Sequence, residues 1–284
     1  MDSEIIFESE ALRSIARLPV EGGPILCTFS NYQADGGEHH AFGMDFADRH
    51  RINAIHFISG ANDWLLQERW EPHYRAWVQR VMTLPAYVNA TRRIGYGSSM
   101  GGYAALRFRD RLRFDRVIAL SPQYALDPAK VPFERRWIAE FERYGDAAMD
   151  VMRPIWRGED IVLIHDPMIE WDLRHIRLID PDRHALDLGI PFAGHPPALF
   201  LNHVGVLSEF TLRLVNGDRD VSDLLHRASR DRRTSWLFWM RVADHWFHNR
   251  NWPKKALWAV DRGLMIAPGH SELLAFRDRI AARC

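Results

Sequence analysis

Up to about residue 205 the chain alternates short apolar runs with longer stretches of helix formers. The apolar runs are GPILCTFS (23–30), INAIHFIS (52–59), RRIGYG (92–97), RVIALSP (116–122), DIVLIHD (160–166) and HALDLGI (184–190). Each is brief, rich in Ile, Val, Leu or Phe, and ends at or just before Gly, Ser, Pro, Asp or Asn. Such runs suit strands buried on both faces of a parallel sheet. Helices are expected between them, at 67–82, 100–111 and 172–179. Alternating β and α elements imply right-handed crossovers and an open α/β sheet, with ligands at the carboxyl ends of the strands. The interval from Tyr124 to Gly158 is long for one crossover and carries Trp137, Phe141, Tyr144 and Trp156 among charges. It reads either as a helical insertion above the sheet, where lids commonly sit, or as a longer crossover helix with an aromatic core face.

From about Arg219 the β-type runs stop and the remainder reads as helices. The spacing there resembles one tetratricopeptide-type helical hairpin, with small residues Ala256 and Gly263 where two helices would cross and Pro268 as a stop. A single repeat cannot bury its faces alone, so this segment is expected to pack on the main domain as a cap or to dock another chain. The organisation expected is an α/β domain over 1–218, with an insertion around 124–158, and a helical segment over 219–284.

Composition narrows the function. Thirty-seven Lys and Arg balance 37 Asp and Glu, which argues against a nucleic-acid binder or a protein held to anionic membranes by bulk charge. No run approaches the ~20 apolar residues of a membrane span. The start, MDSEIIFESEAL, has early acids and no long apolar stretch, so no signal peptide is expected. The two cysteines, Cys27 in an apolar run and Cys284 at the last position, suggest no disulfide framework. Together these point to a cytoplasmic protein.

The chemistry gathers at IGYGSSMGGYAAL (94–106), where Gly97-Ser98-Ser99-Met100-Gly101 is a G-x-S-x-G. The pentapeptide alone arises by chance in about one chain in ten of this length. Here, however, a strand-like run enters it and a helix-like run leaves it, as a nucleophile elbow requires. Small residues at 97, 101 and 102 let strand and helix approach closely. Ser99 then projects at the positive end of the following helix, where developing negative charge is stabilised, and the Met100 N–H faces the oxyanion. A serine needs a base and an orienting acid, in the chain order Ser, acid, His. Asp166 closes the run 160–166 before Pro167, and His195 stands in PFAGHPPA just after the run 184–190.

With these residues in view, 23–205 resembles an α/β-hydrolase domain: GYGSSMGG as the elbow, IHDP as the acid turn and AGHPP as the histidine loop. The GSSMGGYAAL form also resembles bacterial serine hydrolases associated with surface-glycan genes. The resemblance implies an α/β-hydrolase-like, mostly parallel sheet flanked by helices, with a C-terminal helical appendage. It also implies acyl transfer through an acyl-serine, with His195 as general base and then general acid. Two departures stand out. The chain before residue 23 leaves room for one opening strand, EIIFE, and the family's His-Gly signature after the first central strand is replaced by TFSN. Ser30 is the expected second oxyanion donor, with Asn31 next.

Rival readings remain. Asp172 could be the acid but has the character of a helix N-cap, Asp127 is a lesser candidate, and His165 reads as a core histidine. His39, His40, Asp45 and Asp48 could be imagined as a metal site, but no H-x-x-x-H or H-x-x-E-H spacing supports one, and no metal is expected. Neither a P-loop Lys nor G-x-G-x-x-G is present, so no cofactor is expected either. Asn31 and Trp64 are expected at the substrate cleft, although Trp64 could equally be core. The leading expectation is a serine hydrolase cleaving a small-molecule acyl ester or an acylated glycan. The alternatives are an acyltransferase, or a glycan-biosynthesis interaction protein on a hydrolase scaffold, with the C-terminal helices serving a homo-oligomer or protein partner.

Overall fold

A computed structural model of the chain describes residues 3–33, 41–144 and 153–283. The chain forms two compact units: Met1–Ile164 with Trp171–Leu188, and His165–Glu170 with Gly189–Cys284.

The first unit is built on strands β1 (Glu4–Glu8), β2 (Leu12–Arg17), β3 (Pro24–Phe29), β4 (Asn53–Ser59), β5 (Arg92–Ser98), β6 (Arg116–Leu120), β7 (Ile161–His165) and β8 (Leu186–Gly189). Among the described residues these eight make one sheet in the order β1-β2-β4-β3-β5-β6-β7-β8. The pairs β3/β4, β3/β5, β5/β6 and β6/β7 are parallel, whereas β1/β2 and β2/β4 are antiparallel. All six internal apolar runs therefore become strands. Every residue of β6 and β7 is buried, as expected of strands covered on both sides.

One expectation needs correction: two strands, not one, precede β3. In β2, LRSIAR, buried Leu12, Ser14 and Ala16 alternate with the more open Arg13, Ile15 and Arg17. An antiparallel strand covered on one side carries this mixed alternation rather than an apolar run. Ser9 closes the turn between β1 and β2, its N–H donating to the Leu12 carbonyl at 2.9 Å.

Helices of this unit are α1 (Met44–His50), α2 (Glu71–Thr83), α3 (Pro85–Val88), α4 (Met100–Phe108), α5 (Ile138–Tyr144) and α6 (Glu170–Ile179). The region expected as a helical insertion consists, where described, of turns and the single short α5. Phe29 from β3 sits at the centre of the aromatic packing, its ring 5.8 Å from Phe108, 5.5 Å from Phe57 and 6.2 Å from Trp77. This cluster clamps α2 and α4 to the sheet.

In the second unit every described element is helical apart from loops and the ends of β7 and β8: α7 (Ala198–His203), α8 (Leu207–Asn216), α9 (Ser222–Asp231), α10 (Trp236–Asp244), α11 (Pro253–Ile266) and α12 (Ser271–Ala281). Ala256 and Gly263 are buried on α11. A Cβ on Gly263 would lie 3.2 Å from the Leu273 methyls of α12, so the small residue permits the close α11/α12 crossing. No helix among the described residues is long and apolar enough to cross a membrane.

Of the residues imagined as a metal site, His39 and His40 lie outside the described residues, as does Cys284. Asp45 is in the first turn of α1, and Asp48 is ion-paired with Arg17.

Replacing Phe29 by Ala empties the centre of the aromatic cluster. Denaturant unfolding is expected to show a loss of about 3–5 kcal/mol.

Candidate active site

β5 ends at Ser98 and α4 begins at Met100, so Ser99 alone makes the turn between them. Its backbone sits at φ 52° and ψ −118°. For a residue with a Cβ this is a strained conformation, held only when the surroundings over-determine it. The surroundings do so. The Ser99 N–H donates to the Leu120 carbonyl of β6 at 2.7 Å, and its carbonyl accepts from Tyr103 N–H at 2.9 Å. Around the turn the chain runs too close for side chains. A Cβ on Gly97 would stand 2.1 Å from the Gly101 carbonyl oxygen, and one on Gly101 2.5 Å from that of Phe29. Ser98 completes the strand, paired opposite Leu120 and buried. Met100 is the first residue of α4, so its N–H has no acceptor within the helix.

Gln123, just beyond β6, was not singled out from the sequence. It is wholly buried. Its Oε1 accepts from the Trp64 indole N–H at 2.8 Å, which fixes the amide so that Nε2 faces Ser99 Oγ, at 3.5 Å. Nε2 also donates to the Ser121 carbonyl at 3.3 Å. The one available signal was position: Gln123 follows a strand-like run that ends in Ser-Pro.

Trp64, which the sequence leaves open between cleft and core, is a core side chain. It is fully buried, with its ring 5.5 Å from Tyr32 and 4.8 Å from Trp137, and it lies in a turn rather than a helix. It bears on Ser99 through Gln123 instead of lining an open cleft. Trp64 and Leu65 both have positive φ, 48° and 61°. Asp63 holds that turn: its carboxylate accepts from Leu65 N–H and Gln67 Nε2, and burial pushes its pKa up to about 6.

A second buried group fixes the loop that carries Gln123. The Nδ1 of His175 on α6 accepts the Tyr124 N–H at 3.0 Å, so the ring proton is on Nε2, which donates to Glu134 at 2.9 Å. Arg136 donates to Glu134 and, at 3.0 Å, to Asp172. Burial works to raise the Glu134 pKa, but the His175 and Arg136 hydrogen bonds outweigh it and hold the carboxyl down at about 2. Asp172 thus lies inside α6 as a buried partner of Arg136 rather than as its N-cap. Asp127 closes a local turn, accepting the Ala129 N–H at 2.8 Å, with Lys130 nearby.

Ser30 is also corrected. Its N–H donates to the Phe57 carbonyl at 3.0 Å, extending the β3/β4 ladder, and its hydroxyl accepts the Ser59 N–H at 2.9 Å. A committed N–H does not serve an oxyanion. Asn31 is the next residue, half-buried, in a loop stapled to 60–62 by two hydrogen bonds between Asn62 and the Gln33 backbone.

In the second unit, Asp166 follows β7 and is fully buried. Its carboxylate accepts backbone N–H groups from Met168 at 2.9 Å, Phe192 at 3.0 Å and Gly194 at 2.8 Å. Burial raises its pKa, against these hydrogen bonds and the charge of Arg241. Phe192 and Gly194 both have positive φ, so the carboxylate moulds the turn leading into half-buried His195. His165, also buried, ends β7, and its carbonyl accepts the Ile190 N–H. Thus Ser99, Met100, Ser30, Asn31 and Trp64 belong to the first unit, where Gln123 joins Ser99 to Trp64. Asp166 and His195 belong to the second, where Asp166 holds the residues before His195.

No family model matches the chain, and no curated protein matches it. Solved structures do. The capsule O-acetyltransferase of Neisseria meningitidis serogroup A aligns at 12% identity with a TM-score of 0.53, over 74% of this chain and 94% of that one. A chain of a glycosylation-associated protein complex from Streptococcus agalactiae aligns at 13% identity and TM-score 0.51, over 73% of this chain and 44% of that one. An esterase of Pyrococcus furiosus aligns at 13% identity and TM-score 0.41, over 76% and 87%. The fold is α/β-hydrolase-like: a mostly parallel sheet flanked by helices, with further helices at the C-terminal end.

The low pKa of Glu134 sets a pH dependence. A carboxyl held below its ordinary 4.5 adds stability above that value, and the contribution disappears as pH falls toward about 2. Urea unfolding from about pH 5 downward should therefore show a steeper acid loss in wild type than in Glu134→Gln, by on the order of 3 kcal/mol.

Proposed function

We propose that the protein is a serine acyl hydrolase with Ser99 as nucleophile. The observation that carries this reading is the strained Ser99 backbone at a strand-to-helix turn closed by Gly97 and Gly101. A protein using Ser99 only for packing gains nothing from that strain, whereas an acyl-transfer enzyme gains a hydroxyl projected at the N-terminus of α4.

In this proposal Ser99 Oγ attacks the carbonyl carbon of an acyl ester while His195 takes its proton. The carbonyl oxygen becomes the oxyanion and accepts from the Met100 N–H, with Asn31 in place of Ser30 as the source of the second donor. Collapse breaks the ester C–O bond, and His195 returns the proton to the leaving alcohol. Water, deprotonated by His195, then attacks the acyl-serine and restores Ser99. Asp166 acts as the orienting acid through the loop it holds and through its negative charge beside the developing imidazolium. Gln123 Nε2 keeps the Ser99 hydroxyl in one rotamer. No cofactor takes part in this scheme.

A second reading replaces water by a hydroxyl of a glycan, making the protein an O-acyltransferase. It is favoured by the likeness of fold to the capsule O-acetyltransferase, which spans nearly all of that chain. Chemically the two readings differ only in the acceptor. A panel of acyl esters, assayed with and without polysaccharide acceptors, separates them.

A fluorophosphonate probe should label wild type and Ser98→Ala. Ser99→Ala should not be labelled and should lose at least about a thousandfold in kcat/KM on an ester it cleaves. Equal labelling of Ser99→Ala, or none of wild type, refutes the enzyme reading and leaves the interaction-protein alternative. Gln123→Ala should lower kcat by about tenfold with little change in KM. A purely structural Gln123 would change the melting temperature and leave kcat of the folded fraction untouched.

A further inference from the structure

The outward side of α11 is unusual for a helix facing solvent. Its inward side is accounted for, because Ala256, Ala259, Val260 and Gly263 are buried. Trp258, Met265 and Ile266 on the other side are 47%, 71% and 40% exposed, and Trp252, immediately before the helix, is 44% exposed. Three large apolar side chains are thus open to water on one element of 14 residues, about 21 Å long, with a fourth just before it. Contiguous exposed apolar surface of this kind marks a binding face.

Cations are interleaved with the apolar groups. The Lys255 ammonium lies 4.0 Å above the Trp252 ring, and the Arg262 guanidinium 5.2 Å from that of Trp258. A groove of about 400 Å³ opens among Arg233, Trp239, Trp258, Arg262, Met265 and Ile266, with no carboxylate in its lining. Neither Arg233 nor Arg262 has an ion pair among the described residues. The bias extends along the chain. Between Arg232 and Arg283 there are ten Lys and Arg against four Asp and Glu, in a protein whose totals are equal.

We propose that this face of α11 docks on the surface of an anionic phospholipid bilayer. Exposed Trp, Met and Ile with flanking Lys and Arg is the pattern of a helix lying in the interface, where indoles occupy the headgroup level and aliphatic side chains reach the acyl boundary. Lipid phosphates pair with Arg233 and Arg262 at the groove and with Lys255 beside it. An acidic polysaccharide satisfies the cations but offers a hydroxylated surface to Met265 and Ile266. A protein partner covers the apolar groups, yet it must desolvate several cations that have no carboxylates of their own. The bilayer satisfies both. The neutral overall charge does not oppose this, because surface attraction decays within a Debye length and only the facing charges count.

Flotation of the full chain with vesicles of phosphatidylcholine containing about a third phosphatidylglycerol, and of phosphatidylcholine alone, tests this. Wild type should bind the anionic vesicles, with a blue-shifted tryptophan emission and weakening as salt rises, and should bind pure phosphatidylcholine far less. The pair Arg233→Gln and Arg262→Gln should lower partitioning about thirtyfold, at roughly fivefold per cation. Trp258→Ser with Met265→Ser should lower it further and abolish the blue shift. If the Trp258 variant melts early, the arginine pair carries the test, since its side chains hold no ion pair in the fold. Absence of vesicle binding overturns the proposal, as does equal binding to both lipids that the arginine pair does not change. Retention on an acidic polysaccharide, or dimerisation through these residues, in a protein that ignores vesicles overturns it in favour of that occupant.

Discussion

The close approach of chain at Gly97, Ser99 and Gly101 is the constraint on which the rest of the first unit is arranged. β5 must be central, because Ser99 N–H needs the Leu120 carbonyl of β6 on one side while Gly101 abuts the Phe29 carbonyl of β3 on the other. Those two contacts fix β3, β5 and β6 as neighbours before any side chain is considered. α4 has to start without a capping side chain, since its preceding residue is spent on the turn. The strain at Ser99 is offset by burial nearby: Phe29, Phe57, Trp77 and Phe108 interlock directly under α4. A one-carbon intrusion at Gly97 would strike the backbone of Gly101 and Gly102, which cannot yield without moving the start of α4.

Beyond the strand ends, buried polar groups do the work that regular secondary structure does elsewhere. Irregular backbone leaves N–H groups unpaired, and each costs free energy if buried without a partner. Asp63 takes the Leu65 N–H, His175 the Tyr124 N–H, and in the second unit Asp166 takes those of Met168, Phe192 and Gly194. Each acceptor immobilises a short loop beside a residue of interest: Trp64, Gln123 or His195. The direction of each pKa shift follows the company the carboxyl keeps. Asp63 and Asp166 have only neutral hydrogen-bond donors, so burial dominates and raises them. Glu134 has a guanidinium and an imidazole, so it is lowered despite its burial.

The legible part of the fold was the part with a period. Parallel strands covered on both faces write themselves as apolar runs, and all six runs were strands. β2 escaped because an antiparallel strand with one open face carries Arg13 and Arg17 at its outward positions. The turn at Ser99 was legible because a chain that approaches this closely must use glycine, and glycine is visible. Ser30 departs from its expected role, and Trp64 stays open between cleft and core in the sequence, for a common reason: a place at a strand's carboxyl end says that a residue is near the site, but not which of its atoms are already engaged. Gln123 had no signal of its own. Its place depends on an indole 59 positions away in the chain, a pairing that no local pattern announces.

The C-terminal helices show a different limit of sequence reading. Averaged over the chain, charges cancel, and the average argues against any anionic surface as a partner. Averages, however, do not bind; faces do. On α11 the small residues are drawn inward by the need for close helix crossing, as the contact of Gly263 with Leu273 shows. That leaves the large apolar residues outward, which is the reverse of what a solvent-facing helix does. Cations beside Trp252 and Trp258 keep such a face soluble when it is free, and they become its attraction once a negatively charged surface is near. The same side chains therefore answer two requirements, and a helix that only capped the second unit would need neither.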